Sequence, residues 1–250
     1  MNETELRKVA RQKIIVAMDV PDIFSAQRLA RPLAPYVGMF KVGKQLFTSS
    51  GPDSVRIIRD VGGEVFLDLK YHDIPNTVAM AGLEAARLGV KMFNLHALGG
   101  PEMMEKAATS LAAEYRDMPG KRPNILAVTI LTSSTQETLK AVGIEHPICN
   151  MVSGLATLAK VSGIDGVVCS PQEISLIRDV CGPNFLIVTP GIRPAEADAN
   201  DQKRIATPGA AIAAGADYLV IGRPITEAPD PVAAVEAIID EIVEVLKLAA

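Results

Sequence analysis

Short apolar runs alternate with amphipathic segments along the whole chain. The runs "IIVAM" (14–18), "MFKVG" (39–43), "EVFLDLK" (64–70), "KMFNLH" (91–96), "NILAVTI" (124–130), "GVVC" (166–169), "FLIVT" (185–189) and "YLVIG" (218–222) predict eight strands. Several are continuously apolar, as parallel strands covered by helices must be. Helical signals fill the gaps. Asp22 can cap a segment with Ile23, Ala26, Leu29, Ala30 and Leu33 on one side. Pro101 can open another, in which Met104, Ala107, Ala108, Leu111 and Tyr115 share a face. Ser134 with Glu137 and Ser170 with Glu173 have capping-box spacing, and Thr207-Pro208 and Asp230-Pro231 are cap-then-proline starts.

Eight strand-then-helix units with short connections and no composition break predict an α/β chain forming one (β/α)8 TIM barrel over residues 1–250. Residues 1–12 read as a polar N-terminal extension without an assigned role. An open doubly wound sheet is the alternative. It is weakened because "AMDVPD" follows the first strand, where a GxGxxG turn would stand.

Composition narrows the function. Hydrophobic residues at 48% with charged residues at 22% suit a globular core, and a net charge of −4 without a basic cluster argues against nucleic acid. The polar start "MNETELRKVARQK" lacks the apolar stretch of a signal peptide, and no apolar run approaches the roughly 18 residues of a membrane span. Three cysteines, Cys149, Cys169 and Cys181, lack metal-ligand spacing and read as thiols of a reducing cytoplasm.

Barrel chemistry sits at the C-terminal ends of the strands. Candidate strands end in Asp19, Lys41 with Lys44, Asp68 with Lys70, Asn94 with His96, Thr129 with Thr132, and Arg223. Strand three carries the strongest signal. Alternation puts Phe66, Asp68 and Lys70 on one face and Val65, Leu67 and Leu69 on the other. The aliphatic face should meet the helices, leaving charge inside the barrel, where it is costly unless paired. Asp73 follows in the loop, and Lys41 comes from the neighbouring strand. An ion-pair network that merely fills the barrel mouth is the bland alternative, and a poor stabiliser compared with apolar packing. Carboxylates beside Lys70 favour its charged form, whereas a Schiff-base lysine needs a free amine. Lys70 therefore reads as a cationic acid or electrostatic stabiliser.

"VTPGIRP" and "VIGRPIT" follow strands seven and eight, where barrels often bind phosphate. Gly191 and Gly222 let the backbone approach closely, and Arg193 and Arg223 can grip phosphate oxygens. Asp19 can bind a ribose hydroxyl or start a turn before Pro21. Thr132 can cap the next helix or touch a ligand. His96 reads as a satisfied barrel-mouth histidine, and His72, His96 and His146 form no metal-ligand pattern.

At "FLDLKYHDIPNTV" the chain resembles the orotidine 5′-phosphate decarboxylase family in its bacterial form. "VAMDV", "FKVG", "TILTSS", "TPGIRP", "NDQKR" and "GADYLVIGRPIT" follow in the family's order. The Asp-x-Lys-x-x-Asp core is shared with a wider set of phosphosugar barrels, and the extension from His72 to Thr77 makes the match specific. The resemblance implies decarboxylation of orotidine monophosphate to UMP, the last step of de novo UMP synthesis, with no cofactor and no metal. It implies a charged network of Lys41, Asp68, Lys70 and Asp73, and a homodimer in which Asp73 and Thr77 cross from the partner, with Ile74 beside them against the substrate. Asp19 and Lys41 would contact the ribose and Thr132 the pyrimidine. Arg193, Gln202, Gly222 and Arg223 would hold the phosphate, under a lid formed by 193–203. Two rivals remain: a Mg²⁺-dependent phosphosugar decarboxylase or aldolase on the same barrel, and a nucleotide-binding protein without turnover.

Overall fold

In the computed structural model, which describes residues 1–194 and 206–249, eight parallel strands close into a barrel in sequence order. They are β1 (Ile14–Ala17), β2 (Met39–Gly43), β3 (Val65–Tyr71), β4 (Met92–His96), β5 (Asn124–Val128), β6 (Gly166–Val168), β7 (Leu186–Thr189) and β8 (Tyr218–Ile221), with β8 pairing back to β1. Each lies within one of the predicted runs or overruns it by a single residue, so the (β/α)8 barrel is the fold and the open sheet is excluded.

The helices are α1 (Glu3–Gln12), α2 (Ile23–Leu33), α3 (Lys44–Ser50), α4 (Asp53–Asp60), α5 (Pro75–Arg87), α6 (Pro101–Glu114), α7 (Gln136–Ala141), α8 (Ile148–Val161), α9 (Ile174–Cys181), α10 (Pro208–Ala213), α11 (Arg223–Thr226) and α12 (Pro231–Ala249). Asp22 caps α2 through the Ser25 amide, Thr207 caps α10, and Asp230 Oδ1 accepts from the Val232 and Ala233 amides. Ser170 and Glu173 form the expected box, ahead of α9. The box before α7 sits one residue later than expected. Thr135 and Thr138 make it, because the backbone of Thr135 rather than Ser134 is the extended residue at the helix start.

Residues 1–12, expected as an extension without a role, instead fold onto the barrel. Asn2 and Glu5 form a capping box, and Leu6 and Ala10 are buried. Arg7 binds Glu236 and Asp240 of α12, and Arg11 binds Glu236 at 3.2 Å. Charged residues dominate α1, so its two-position apolar stripe is easily missed in the sequence.

Strand alternation divides the core in two. Val16, Val42, Leu67, Phe93, Ile125, Val167, Ile187 and Leu219 face the helices, while Ile15, Ala17, Met39, Phe66, Met92, Leu126, Val188 and Val220 fill the barrel interior. Burying a side chain such as Phe66 stabilises by roughly 1.5–3 kcal/mol. The same alternation continues upward. One step beyond Ala17, Met39, Phe66, Met92 and Val220 on the inner face come Asp19, Lys41, Asp68, Asn94 and Gly222. The polar groups therefore stand as a layer directly above an apolar plug. Among the described residues no helix is long and apolar enough to cross a membrane.

Candidate active site

Asp68 is the hub of that layer. It is 9% exposed, and its Oδ1 accepts from Lys70 Nζ at 2.5 Å and Asn94 Nδ2 at 2.7 Å. Its Oδ2 lies 3.4 Å from Lys41 Nζ, which also donates to Asp19 Oδ1 at 3.0 Å. The four charges therefore alternate in sign: Asp19, Lys41, Asp68, Lys70. Gly43 leaves room for this chain, since a Cβ there would stand 3.0 Å from Lys41 Nζ and 3.3 Å from Asp19 Oδ1. Burial alone would push the Asp68 carboxyl up, but the two ammonium groups and the hydrogen bonds from Lys70 and Asn94 outweigh it and hold the group below the usual carboxylate range. Burial likewise opposes the Lys41 ammonium, and attraction to Asp68 and Asp19 overcomes it, so its pKa is raised. Both groups are charged at neutral pH.

Lys70 sits on an irregular piece of strand. The β3–β4 register shifts between Leu67 and Tyr71, and Lys70 has φ +56°. Among the described residues no other non-glycine has positive φ. The Lys70 amide donates to the Asn94 side chain at 2.8 Å.

A cavity of about 460 Å³ opens above these groups. Asp19, Lys41, Asp68 and Lys70 line one side, Thr132 contributes from the loop after β5, and Gly191, Arg193, Gly222 and Arg223 line the far side. Gly191 has φ +81°, a turn that L side chains rarely adopt. Arg193 is buried, and its Nε has no hydrogen-bond partner among the described residues. Burial and then the neighbouring Arg223 hold its guanidinium below its ordinary value. Two adjacent cations, one with an unused buried donor, form a site that an anion would relieve.

One cavity thus gathers eight of the predicted site residues, counting Asp19, Lys41, Asp68, Lys70, Thr132, Arg193, Gly222 and Arg223. Asp73, Ile74 and Thr77 do not line it. They are exposed around the start of α5, with Asp73 Oδ1 accepting from the Ile74 amide. Gln202 and the greater part of 193–203 lie outside the described residues. Two contributors escaped the reading of the sequence. Asn94 stood out as a strand-end polar residue, but nothing in its spacing gave it a task. Gly43 lay inside "FKVG" without one.

His96 departs from expectation. Its Nδ1 is buried without a hydrogen-bond partner among the described residues, and its ring lies 5.6 Å from that of His72. Burial first, then His72, Lys70 and Lys44, lower its pKa to about 4, with Asp68 the opposing influence. The unfolded chain, with an ordinary value of about 6.5, binds more protons between about pH 4 and 6.5. His96 should therefore cost the protein stability as pH falls through that window. Denaturant midpoints measured across it should fall less steeply for His96→Gln than for the unaltered chain. Equal slopes would show that His96 is protonated alike in both states. Among the described residues no group of three or more histidine, cysteine or carboxylate side chains is placed to hold a metal ion.

The family model for the orotidine 5′-phosphate decarboxylase / HUMPS family matches residues 12–238. This chain belongs to that family. It is 64% identical over 236 residues to the orotidine 5′-phosphate decarboxylase of Geobacter sulfurreducens, covering 94% of this chain and 98% of that one. It is 64% identical over 239 residues to the Geotalea uraniireducens enzyme of the same name, covering 96% and 98%. The crystal structure of orotidine 5′-phosphate decarboxylase from Lactobacillus acidophilus superposes with a TM-score of 0.80 at 40% identity, covering 92% of this chain and 98% of that one. The resemblance drawn from "FLDLKYHDIPNTV" is correct, and so is the enzyme class it implies, a carboxy-lyase.

Proposed function

We propose that this chain decarboxylates orotidine 5′-monophosphate to UMP and carbon dioxide, the last step of de novo UMP synthesis in the cytoplasm, without metal or organic cofactor. The observation that carries this reading is the charge chain that runs from the exposed Asp19 through Lys41 and the buried Asp68 to Lys70, facing the Arg193–Arg223 pair across one cavity. A network centred on a buried carboxylate is a poor way to stabilise a fold, and apolar packing would serve better. Its use lies in the reaction.

When the bond from C6 to the carboxylate breaks, carbon dioxide leaves and the electron pair stays on C6, in an orbital the pyrimidine ring does not delocalise well. The Lys70 ammonium stabilises that charge as it develops. It then transfers a proton to C6, and the resulting amine regains one from water. Asp68 fixes the direction of Lys70 through the 2.5 Å contact. Asp19 and Lys41 take the ribose hydroxyls and Thr132 the pyrimidine. Arg193, Gln202, Gly222 and Arg223 hold the phosphate, so that binding energy remote from C6 orders the site.

Asp73, Ile74 and Thr77 come from the partner of a homodimer in this reading. Support comes from their exposure away from their own chain's cavity, on the same stretch as the exposed Met80 side chain. The Mg²⁺-dependent alternative is disfavoured by Lys41, whose ammonium lies between the Asp19 and Asp68 carboxylates where a cation would have to sit.

Purified protein given orotidine monophosphate in excess EDTA should lose the substrate's absorbance and form UMP. Turnover that appears only on adding Mg²⁺ would sink the cofactor-free reading. UMP binding without any turnover would leave a nucleotide-binding protein.

A further inference from the structure

Asn94 is fully buried on β4, across the strand pair from Asp68 and Lys70. Both ends of its amide are used. Nδ2 donates to Asp68 Oδ1 at 2.7 Å, and Oδ1 accepts from the Lys70 backbone N–H at 2.8 Å. These are the two residues on whose placement the proton transfer depends. The second bond falls where the β3–β4 register shifts and where Lys70 adopts φ +56°. There the Lys70 N–H donates to the Asn94 side chain, so Asn94 ties down the backbone at the irregular residue. The first bond joins Lys70 Nζ on the same oxygen of Asp68. One amide thus holds the base of the lysine and the carboxylate that aims its tip.

We propose that Asn94 is a positioning residue for the decarboxylation, fixing Lys70 at its backbone and Asp68 at its carboxylate. The inference rests on the decarboxylase reading. Only an amide of this size does both tasks. A carboxylate could accept from the Lys70 N–H but could not donate to Asp68, and an aliphatic side chain could do neither.

The test compares Asn94→Ala and Asn94→Asp with the unaltered chain for kcat, KM, UMP affinity by calorimetry and thermal midpoint. In Asn94→Ala, kcat should fall by about 100-fold, the scale of a small misplacement at a reacting centre. KM and UMP affinity should stay within about threefold, because the phosphate grip at Arg193 and Arg223 is untouched. Asn94→Asp keeps the shape and the acceptor but sets a second carboxylate against Asp68, and should lose kcat on the same scale. A kcat within about threefold of the unaltered chain in either variant overturns the proposal. So does a loss confined to KM, or a lowered midpoint with kcat preserved, which would make Asn94 a packing residue only. If Asn94→Ala does not fold, the isosteric Asn94→Asp decides by the same criteria. Failure of the decarboxylase reading looks different: the unaltered chain itself would not turn over, and the positioning role would fall with it.

Discussion

Lys70→Ala should bind UMP nearly as the unaltered chain does and yet release carbon dioxide at least ~10⁴-fold more slowly. Two separate contributions are lost. A preorganised charge aimed at a developing anion is worth about 10²–10³-fold. A positioned proton donor adds about 10²–10⁴-fold. The variant should still fold. Asp68 keeps Lys41 at 3.4 Å and the Asn94 amide at 2.7 Å, so its carboxylate remains paired. Alanine carries a Cβ as lysine does, so the backbone strain at φ +56° is unchanged. Single-turnover release of carbon dioxide, set beside UMP affinity, separates chemistry from binding. A rate within tenfold of the unaltered chain would show that another group carries the proton and the charge. An equal loss of UMP affinity would show that Lys70 mainly holds the ligand.

That expectation was already legible in "FLDLKYHD", and the reason is periodicity. Alternation along β3 leaves Val65 and Leu67 to the helices and puts Phe66, Asp68 and Lys70 inside, whatever the neighbouring strands contribute. The eight strands were legible for the same reason, since each is a short apolar run between helix caps. What stayed hidden depends on register between strands. Asn94 reaches Asp68 and the Lys70 amide only because the β3–β4 pairing shifts after Leu67, and nothing in "LDLKY" announces a positive φ at a lysine. His96 was misread because the sequence shows a polar side chain near a barrel mouth but not whether Nδ1 meets a partner there. The helix α1 was missed because seven of its ten residues are polar or charged against a narrow stripe of Leu6, Val9 and Ala10, of which only Leu6 and Ala10 are buried, and its ion pairs lie more than two hundred residues away on α12.

Mixing two inactive variants should restore activity. Asp73→Ala removes a carboxylate that does not line the 460 Å³ cavity of its own chain, and Lys70→Ala removes an ammonium that does. If Asp73 completes the site of a two-fold partner, each variant alone has two dead sites per dimer. A mixed dimer has one site lacking both groups and one site with both, the intact Lys70 of one chain meeting the intact Asp73 of the other. Equal amounts, dissociated and reassociated at random, give about half mixed dimers, each with one working site in two, so about a quarter of the unaltered activity returns. The effect is large because the starting mixture is nearly inactive. Random reassociation is needed, so the variants should be mixed under mild denaturant and the activity followed against time after dilution. Recovery toward that fraction ties Asp73 to the neighbouring chain's chemistry. No recovery, with mixed dimers demonstrated by a mass tag on one variant, would place Asp73 in its own chain's site. That outcome would require the loop after β3 to fold inward from its exposed position. Full activity of Asp73→Ala on its own would remove Asp73 from the charged network and leave Asp19, Lys41, Asp68 and Lys70 to do the work.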